Sequence, residues 1–518
     1  MKGRNFMKKL LIPSLIQKRN FADKICLIIP PSLFLLDERV FMSLGILKVA
    51  AVLEQAGISV EVLDLSGIKN FSEVVSDYAK VRKDVYYFGL TSTTPQLPAA
   101  TKIVKAIRNA HHNAKIILGG PHITLVNAAH KRENKLGVKG RAVEAIKHLT
   151  NLFDVLIAGD GEEAIFLALD KNASNLIDAD DKNSPLFLSN QRLNELPFPA
   201  RHLIEIDSYH YYIDGTLALS LIAQLGCPFG CGFCGGRESP MLRKIRMRTI
   251  ENIVEEMVHL YKTTGRRGFM LYDDELNVNK NMVSLMNSIA KAQKDLGVEW
   301  KLRGFIKSEL FTDEQAMAMY KAGFRWILTG FESGSSQILR VMNKKATIEE
   351  NTRCVNIAKR HGLKVKALMS IGHPGETLDT ISETKKWIIA VKPEDFDVTI
   401  ITCYPGTPYY DIAVSDKNRK GVWVYTCPKT QDKLYQIEVD YTVTSDYYKG
   451  NPDGGYCAYV FTDTLSPEVL AKERDKLERE VRTTLDIPFN KFAQTVLYEH
   501  SMGQCGKFPK NILKKSTI

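Results

Sequence analysis

The sequence lacks any apolar run long enough to span a bilayer. Its longest, such as Ile25–Pro31 and Leu217–Leu225, fall well short of the ~20 residues a membrane helix needs. No block of like charge reaches five or six residues, although the formal net charge over 518 residues is +11. A surplus spread that thinly speaks against a nucleic-acid-binding tail and for a solvated surface or pockets for anionic cofactors. Internal repeats and low-complexity tracts are absent, which excludes solenoids and biased linkers. The basic start, Met1-Lys-Gly-Arg-Asn-Phe-Met-Lys-Lys, has no apolar stretch followed by a small-residue cleavage site, so a cytoplasmic location is expected. With nothing marking the chain as secreted, its nine cysteines are not expected to pair as disulfides. What remains, 44% hydrophobic and 25% charged, is ordinary globular material, enough for two or three domains.

Three of the cysteines fall within eight residues, in Leu225-Gly-Cys227-Pro-Phe-Gly-Cys231-Gly-Phe-Cys234-Gly-Gly236. The spacing is C-x3-C-x2-C. Thiolates are soft ligands that suit iron or zinc. Structural zinc wants four ligands, commonly two C-x2-C pairs, and no second pair exists here. Iron–sulfur clusters normally take four thiolates. Three without a nearby fourth suggest a cluster with one iron open to a substrate or cofactor. A zinc-stapled basic nucleic-acid-binding protein stays open as an alternative.

The rest of the chain alternates short apolar strands with amphipathic helices, the pattern of an α/β fold. Over 21–175 strands are expected at Ile25–Pro31, Val60–Leu65, Val85–Leu90, Lys115–Leu118 and Phe153–Ala158, with intervening helices, in a doubly wound parallel sheet. Ligands bind such sheets beyond the strands' carboxyl ends. Three strands end in turns suited to that: Ser92-Thr93, Gly119-Gly120, and Gly159-Asp160-Gly161-Glu162. Residues 176–215, with Pro197 and Pro199, read as a linker. Over 216–412 six strands alternate with helices, short of a full eightfold barrel, and polar residues gather at their carboxyl ends. The alternation is lost over 413–518, expected to be a smaller, α-rich region. Residues 1–20 form an N-terminal extension. Cys427, Cys457 and Cys505 are scattered and read as lone thiols.

The cysteine motif, with Phe233 before its last cysteine, resembles the signature of radical S-adenosylmethionine (SAM) enzymes. The resemblance implies that Cys227, Cys231 and Cys234 hold a 4Fe–4S cluster whose open iron binds SAM, with Phe233 near the adenine. Residues 216–412 resemble that family's partial (β/α)6 TIM-type barrel. There Glu332 and Ser335 fall where the family contacts SAM, and Arg303 is expected to clamp its carboxylate, since a guanidinium fork fits a carboxylate. Asp273, Asp274 and Glu275 are expected to contact substrate or the SAM ribose. Residues 21–175, with Pro30-Pro31, Leu44-Gly45, Gly119-Gly120-Pro121-His122 and the Gly159–Glu163 turn, resemble the Rossmann-like cobalamin-binding domain of one radical-SAM subfamily. Ser92, Thr93, Gly119, Gly120, Gly159, Gly161 and Glu162 are its expected cobalamin contacts. The D-x-H-x-x-G motif that supplies histidine to cobalt is absent, and His122 is not expected to replace it. The implied activity is methyl transfer from methylcobalamin to an unactivated carbon of a small molecule, after hydrogen abstraction by the 5′-deoxyadenosyl radical. Non-methylating cyclisation, rearrangement or oxidation is the alternative. The implied partners are a small-molecule substrate and an electron donor such as flavodoxin or ferredoxin, with neither nucleic acid nor a membrane span.

Overall fold

The structure is a computed structural model that describes residues 24–35, 37–451, 454–489 and 507–517. The expected extension over 1–20 and Cys505 lie outside the described residues.

Strands buried on both faces read as unbroken apolar runs, and such runs build the first sheet. β1 (Lys24–Ile29), β2 (Ser59–Asp64), β3 (Tyr87–Thr91), β4 (Lys115–Gly119), β5 (Val155–Gly159) and β6 (Leu176–Ala179) are parallel, in the order β2-β1-β3-β4-β5-β6. Helices Leu44–Gln55 and Gly161–Ala168 pack on one face. Helices Phe71–Val81, Leu97–Ala110 and Arg141–Leu152 pack on the other, so the sheet is doubly wound. The strand order reverses between β1 and β3, where such sheets open a crevice.

The second sheet runs β15-β14-β13-β12-β11-β8-β7. It is built from β7 (Tyr211–Ile213) and β8 (Thr216–Leu221), then, after a two-residue antiparallel ribbon of β9 (Gln224–Leu225) and β10 (Arg246–Met247), β11 (Gly268–Leu271), β12 (Lys301–Phe305), β13 (Phe324–Glu332), β14 (Lys364–Ile371) and β15 (Asp395–Ile400). Six strands, β8 and β11 to β15, are parallel, as the alternation implied. They form a half-barrel with helices outside. β7 adds an antiparallel edge through Asp214-Gly215, whose φ values of +45° and +77° mark a type I′ hairpin turn.

Both ends of the expected linker therefore belong to sheets. Residues 176–179 are β6, and 211–213 are β7. Strands of three and four residues are too short to show a period, but the Asp-Gly pair was a usable hairpin signal. The single strand expected at Leu217–Leu225 breaks into β8 and β9, because Asp273 Oδ1 accepts the N–H groups of Ala223 (2.8 Å) and Gln224 (2.5 Å) and turns the chain.

The C-terminal region has its helix, Pro467–Leu485. A four-stranded antiparallel sheet accompanies it: β16 (Val414–Ser415), β17 (Val422–Thr426), β18 (Lys433–Ile437) and β19 (Val460–Phe461). The region is thus mixed rather than α-rich, as short strands with irregular loops carry little periodic signal. β20 (Leu513–Lys515) returns to pair antiparallel with β2. No described helix is long and apolar enough to cross a membrane.

Candidate active site

The ribbon delivers the chain to Cys227 at the carboxyl ends of the half-barrel strands, and two turns clamp the cysteine loop there. Gly232 N–H donates to Met342 O (2.8 Å), and Asn343 Nδ2 donates to Gly230 O (2.8 Å). On the other side Tyr409 N–H donates to Gly232 O (3.1 Å) and Gly236 N–H to Gly406 O (2.8 Å). Residue 232 has to be glycine, since a Cβ there would lie 2.4 Å from the Tyr409 ring. Arg237 turns back across the loop, donating to Gly235 O (3.0 Å) and to Phe229 O. Burial pushes the Cys234 thiol up to about 12 and raises that of Cys227, while Arg237 pulls both the other way. Cys234, Cys231 and Cys227 all act on Arg237, so one guanidinium serves the three sulfurs. That suits an anionic cluster held by three thiolates. Among the described residues no three His, Cys, Asp or Glu side chains form a group that could hold a single metal ion.

Glu332 ends β13 with φ +67°, at a register slip that re-aims its side chain. Its carboxylate accepts from Ser370 Oγ (2.8 Å) and Lys344 Nζ (3.4 Å). Ser335 is buried and its hydroxyl has no hydrogen-bond partner among the described residues. An orphaned hydroxyl beside a paired carboxylate at the strand ends fits a polar ligand such as SAM. Phe233 lies edge-on to His373, ring centroids 5.4 Å apart.

Arg303 is not brought to this site. It sits in mid-strand, level with Met270 and Trp326, and its guanidinium lies over the rings of Tyr211 (6.0 Å) and Trp326 (5.4 Å). The site is at the strand ends, so a residue two positions before the end of β12 falls short. Besides Arg237, the basic groups that do reach it are Lys307, over Phe229 at 4.6 Å, and Lys344. Both are buried in ordinary loop sequence, and nothing in the sequence marks them. Asp273 and Asp274 are occupied with the approach to the loop: Asp274 accepts the Gly226 N–H and is raised by burial, and Asp273 is pushed up to about 7 by burial. Asp273 Oδ2 has no partner among the described residues. Glu275 is also pushed to about 7 by burial, against the pull of Lys344 and Lys307.

At the carboxyl ends of the first sheet lies a cavity of ≈ 380 Å³. Thr93, Gly119, Gly120, Gly159, Gly161 and Glu162 line it. Gly159, at φ +94°, brings the turn so close to β6 that a Cβ would meet Ala179 C at 2.4 Å. Ser92 is not in the wall. It is fully buried and ties two turns together, its N–H donating to Gly119 O (3.1 Å) and its carbonyl accepting from His122 N–H (2.9 Å). His122 is also outside the wall; its Nδ1 meets Thr94 Oγ1 at 3.0 Å, and burial lowers it to about 4. The sequence reading missed Lys48, which shares the cavity with Glu162. Burial lowers Lys48 to about 8, and burial together with Asp160 raises Glu162 to about 7. The walls are mostly apolar, with Thr93, Gln96 and Thr124 as uncharged polar points and charged groups such as Asp160, Arg246 and Arg248 on part of the lining, which fits a large flat ligand with a polar rim. The far wall is Ile222–Leu225, the segment leading into Cys227. Asp160 and Arg246 join the two domains beside it through a buried 2.5 Å ion pair.

Comparison with known proteins places two domains in the chain. The radical SAM superfamily model matches residues 221–388, and the B12 binding domain model matches 38–150. An uncharacterized methyltransferase of Pyrococcus horikoshii is 26% identical over 400 residues, 76% of this chain and 83% of the relative. The anaerobic magnesium-protoporphyrin IX monomethyl ester cyclase of Rubrivivax gelatinosus is 25% identical over 336 residues, and the match spans 61% of this chain but only 56% of the cyclase. Among solved structures, the radical S-adenosylmethionine methyltransferase TsrM of Kitasatospora setae, with cobalamin and a [4Fe-4S] cluster bound, superposes with a TM-score of 0.61 over 88% of this chain and 91% of that one, at 16% identity.

Proposed function

We propose that this chain, which belongs to the radical SAM enzymes that carry a B12-binding domain, transfers a methyl group from methylcobalamin to an unactivated carbon of a small-molecule substrate. One observation carries the reading: Ile222–Leu225 lines the cavity over the first sheet and runs directly into the cysteine loop at Cys227. Two cofactor sites are thereby set against one another. When bound, the cluster with SAM supplies a radical able to take hydrogen from carbon, and cobalamin supplies the methyl group.

The chain's own residues bind and orient. Cys227, Cys231 and Cys234 would hold the cluster, with Arg237 offsetting its charge. Glu332, Lys344 and Ser335 would receive SAM. The turns at Thr93, Gly119-Gly120 and Gly159–Glu162 would hold cobalamin, while His122, turned to Thr94, stays outside the cavity wall. The first sheet, which reaches Ala179 at the end of β6, serves in the cobalamin domain, and the half-barrel sheet, which begins with β7 at Tyr211, in the radical core, with 180–210 between them. A cytoplasmic location and a flavodoxin or ferredoxin as electron donor complete the reading.

Ring closure or other non-methylating chemistry is a second reading, favoured by the likeness to the magnesium-protoporphyrin ester cyclase. Anaerobically reconstituted protein carrying cobalamin, given SAM, a reductant and a small-molecule substrate that it consumes, separates them. Methyl transfer yields 5′-deoxyadenosine together with S-adenosylhomocysteine; 5′-deoxyadenosine alone would support the second reading. Protein that holds zinc and shows no iron–sulfur absorption would defeat both.

A further inference from the structure

We propose that His373 is a positioning residue: through Ser370 it sets the Glu332 carboxylate, and through ring contacts it ties that carboxylate to the cysteine loop. The inference rests on the function proposed above, in which Glu332 receives SAM.

The hydrogen-bond directions follow from proton counting. Glu332 Oε2 lies 2.8 Å from Ser370 Oγ, and Ser370 Oγ lies 2.8 Å from His373 Nε2. A carboxylate paired with Lys344 has no proton to give, so the single hydroxyl hydrogen of Ser370 goes to Glu332. The contact between Ser370 and His373 then requires His373 Nε2–H as the donor. A neutral imidazole protonated at Nε2 has a bare Nδ1, which can only accept. Tyr409 Oη faces that nitrogen at 3.5 Å, a long contact, and is oriented to donate. One direction therefore runs through the set: Tyr409 to His373, His373 to Ser370, Ser370 to Glu332.

The same imidazole is wedged against the cysteine loop. His373 is fully buried, Phe233 meets its ring edge-on, and the Tyr409 ring stands 6.1 Å away at 72°. Tyr409 in turn donates its N–H to Gly232 O and packs where a side chain at 232 would be. Glu332 needs such support, because its own backbone is in the left-handed region that non-glycine residues rarely adopt. A shift of His373 would move residues 232–233 and the Glu332 carboxylate together. The arrangement couples formation of the cluster loop to readiness for SAM.

The test measures SAM affinity of the reconstituted full-length protein from the change SAM causes in the electron paramagnetic resonance signal of the reduced cluster. His373→Leu and Ser370→Ala are each expected to weaken SAM binding about tenfold while iron content stays at the wild-type level, the size of effect of losing one hydrogen bond to a charged group. His373→Gln, which keeps an N–H near the place of Nε2, is expected to remain within about twofold, and the double variant to be no weaker than either single one, since both break one chain. Should His373→Leu lose iron, Ser370→Ala carries the measurement, because it leaves both ring contacts in place. Wild-type affinity in Ser370→Ala, or an additive double variant, overturns the relay alone. Wild-type protein that carries its cluster yet does not bind SAM overturns the functional reading and the relay with it.

Discussion

The cavity above the first sheet and the mouth of the half-barrel are built from different materials. The cavity is walled mostly by aliphatic side chains and by backbone turns at three strand ends; Glu162 and Lys48 face it, and its other charges are paired with one another, Asp160 with Arg246 and Glu256 with Arg201 and Arg248. The mouth is walled by charge: Glu332, Glu275, Lys307 and Lys344 converge around a loop of three thiols. A large flat ligand is recognised by shape, so its site can be made from turns that stay rigid without it. A charged cofactor chelated at a metal is recognised by opposite charges, and each of those must be carried in by a separate strand end or loop and held by others. The first kind of site needs few side chains in few places. The second needs a network.

If the two sites are independent in construction, breaking one should spare the other. The largest effect is expected from Cys227→Ala, Cys231→Ala or Cys234→Ala: iron falls from about four per chain to near none, and 5′-deoxyadenosine formation ceases, while cobalamin binding stays within about twofold. A variant that keeps its iron and its turnover would remove that cysteine from the cluster. Next, Gly159→Val forces a side chain onto the backbone of β6 at a positive φ, so cobalamin occupancy should fall at least about tenfold with iron content retained. Loss of iron as well would mean that the domains fold as one unit.

A smaller effect concerns pH. Glu162 is raised by burial from the ordinary carboxyl range to about 7, with Asp160 adding to the rise and Lys48 and Arg246 opposing it. A carboxyl whose folded pKa is raised favours the folded state most below its unfolded pKa, and that contribution is lost as pH rises through the folded value. Thermal unfolding of the cofactor-free protein should therefore show a loss on the order of 1–3 kcal/mol between pH 5 and pH 7.5, of which Glu162→Gln removes a part. An unchanged pH profile in Glu162→Gln would place the carboxylate in water rather than in the cavity. The smallest effects are expected from Cys354→Ser and Cys403→Ser, both outside the loop. They should keep full iron, as should Cys505→Ser, and loss of about four irons in any one would reveal a second cluster.

Much of the cavity was legible in the chain because its elements are local. A strand that ends in Gly119-Gly120 or Gly159-Asp160-Gly161 announces its turn by composition, and six of the seven residues expected at cobalamin do line the wall. Ser92 is the exception. Whether a hydroxyl at a strand end faces the ligand or the neighbouring turn depends on packing that no spacing shows. The C-x3-C-x2-C loop was legible for the same reason, as its three ligands lie within eight residues. Arg303 shows the limit at the mouth. Its residue type suits a carboxylate, but the level at which β12 stops relative to β11 and β13 is set by strand register, and register left it two residues below the strand end.

The sequence by itself determined the alternation of strands and helices, the six parallel strands of the second sheet, the cysteine loop and the three turns that line the cavity. Each is a short-range pattern of residue types. Only the tertiary structure decided that Ile222–Leu225 lines the cavity on its way to the cysteine loop, that Lys307 and Lys344 join Arg237 in supplying positive charge, and that Tyr409, His373 and Ser370 form one hydrogen-bonded chain ending on the Glu332 carboxylate. Those groups come from separate strands and loops, and the distances between them arise when helices and strands pack, not when they form.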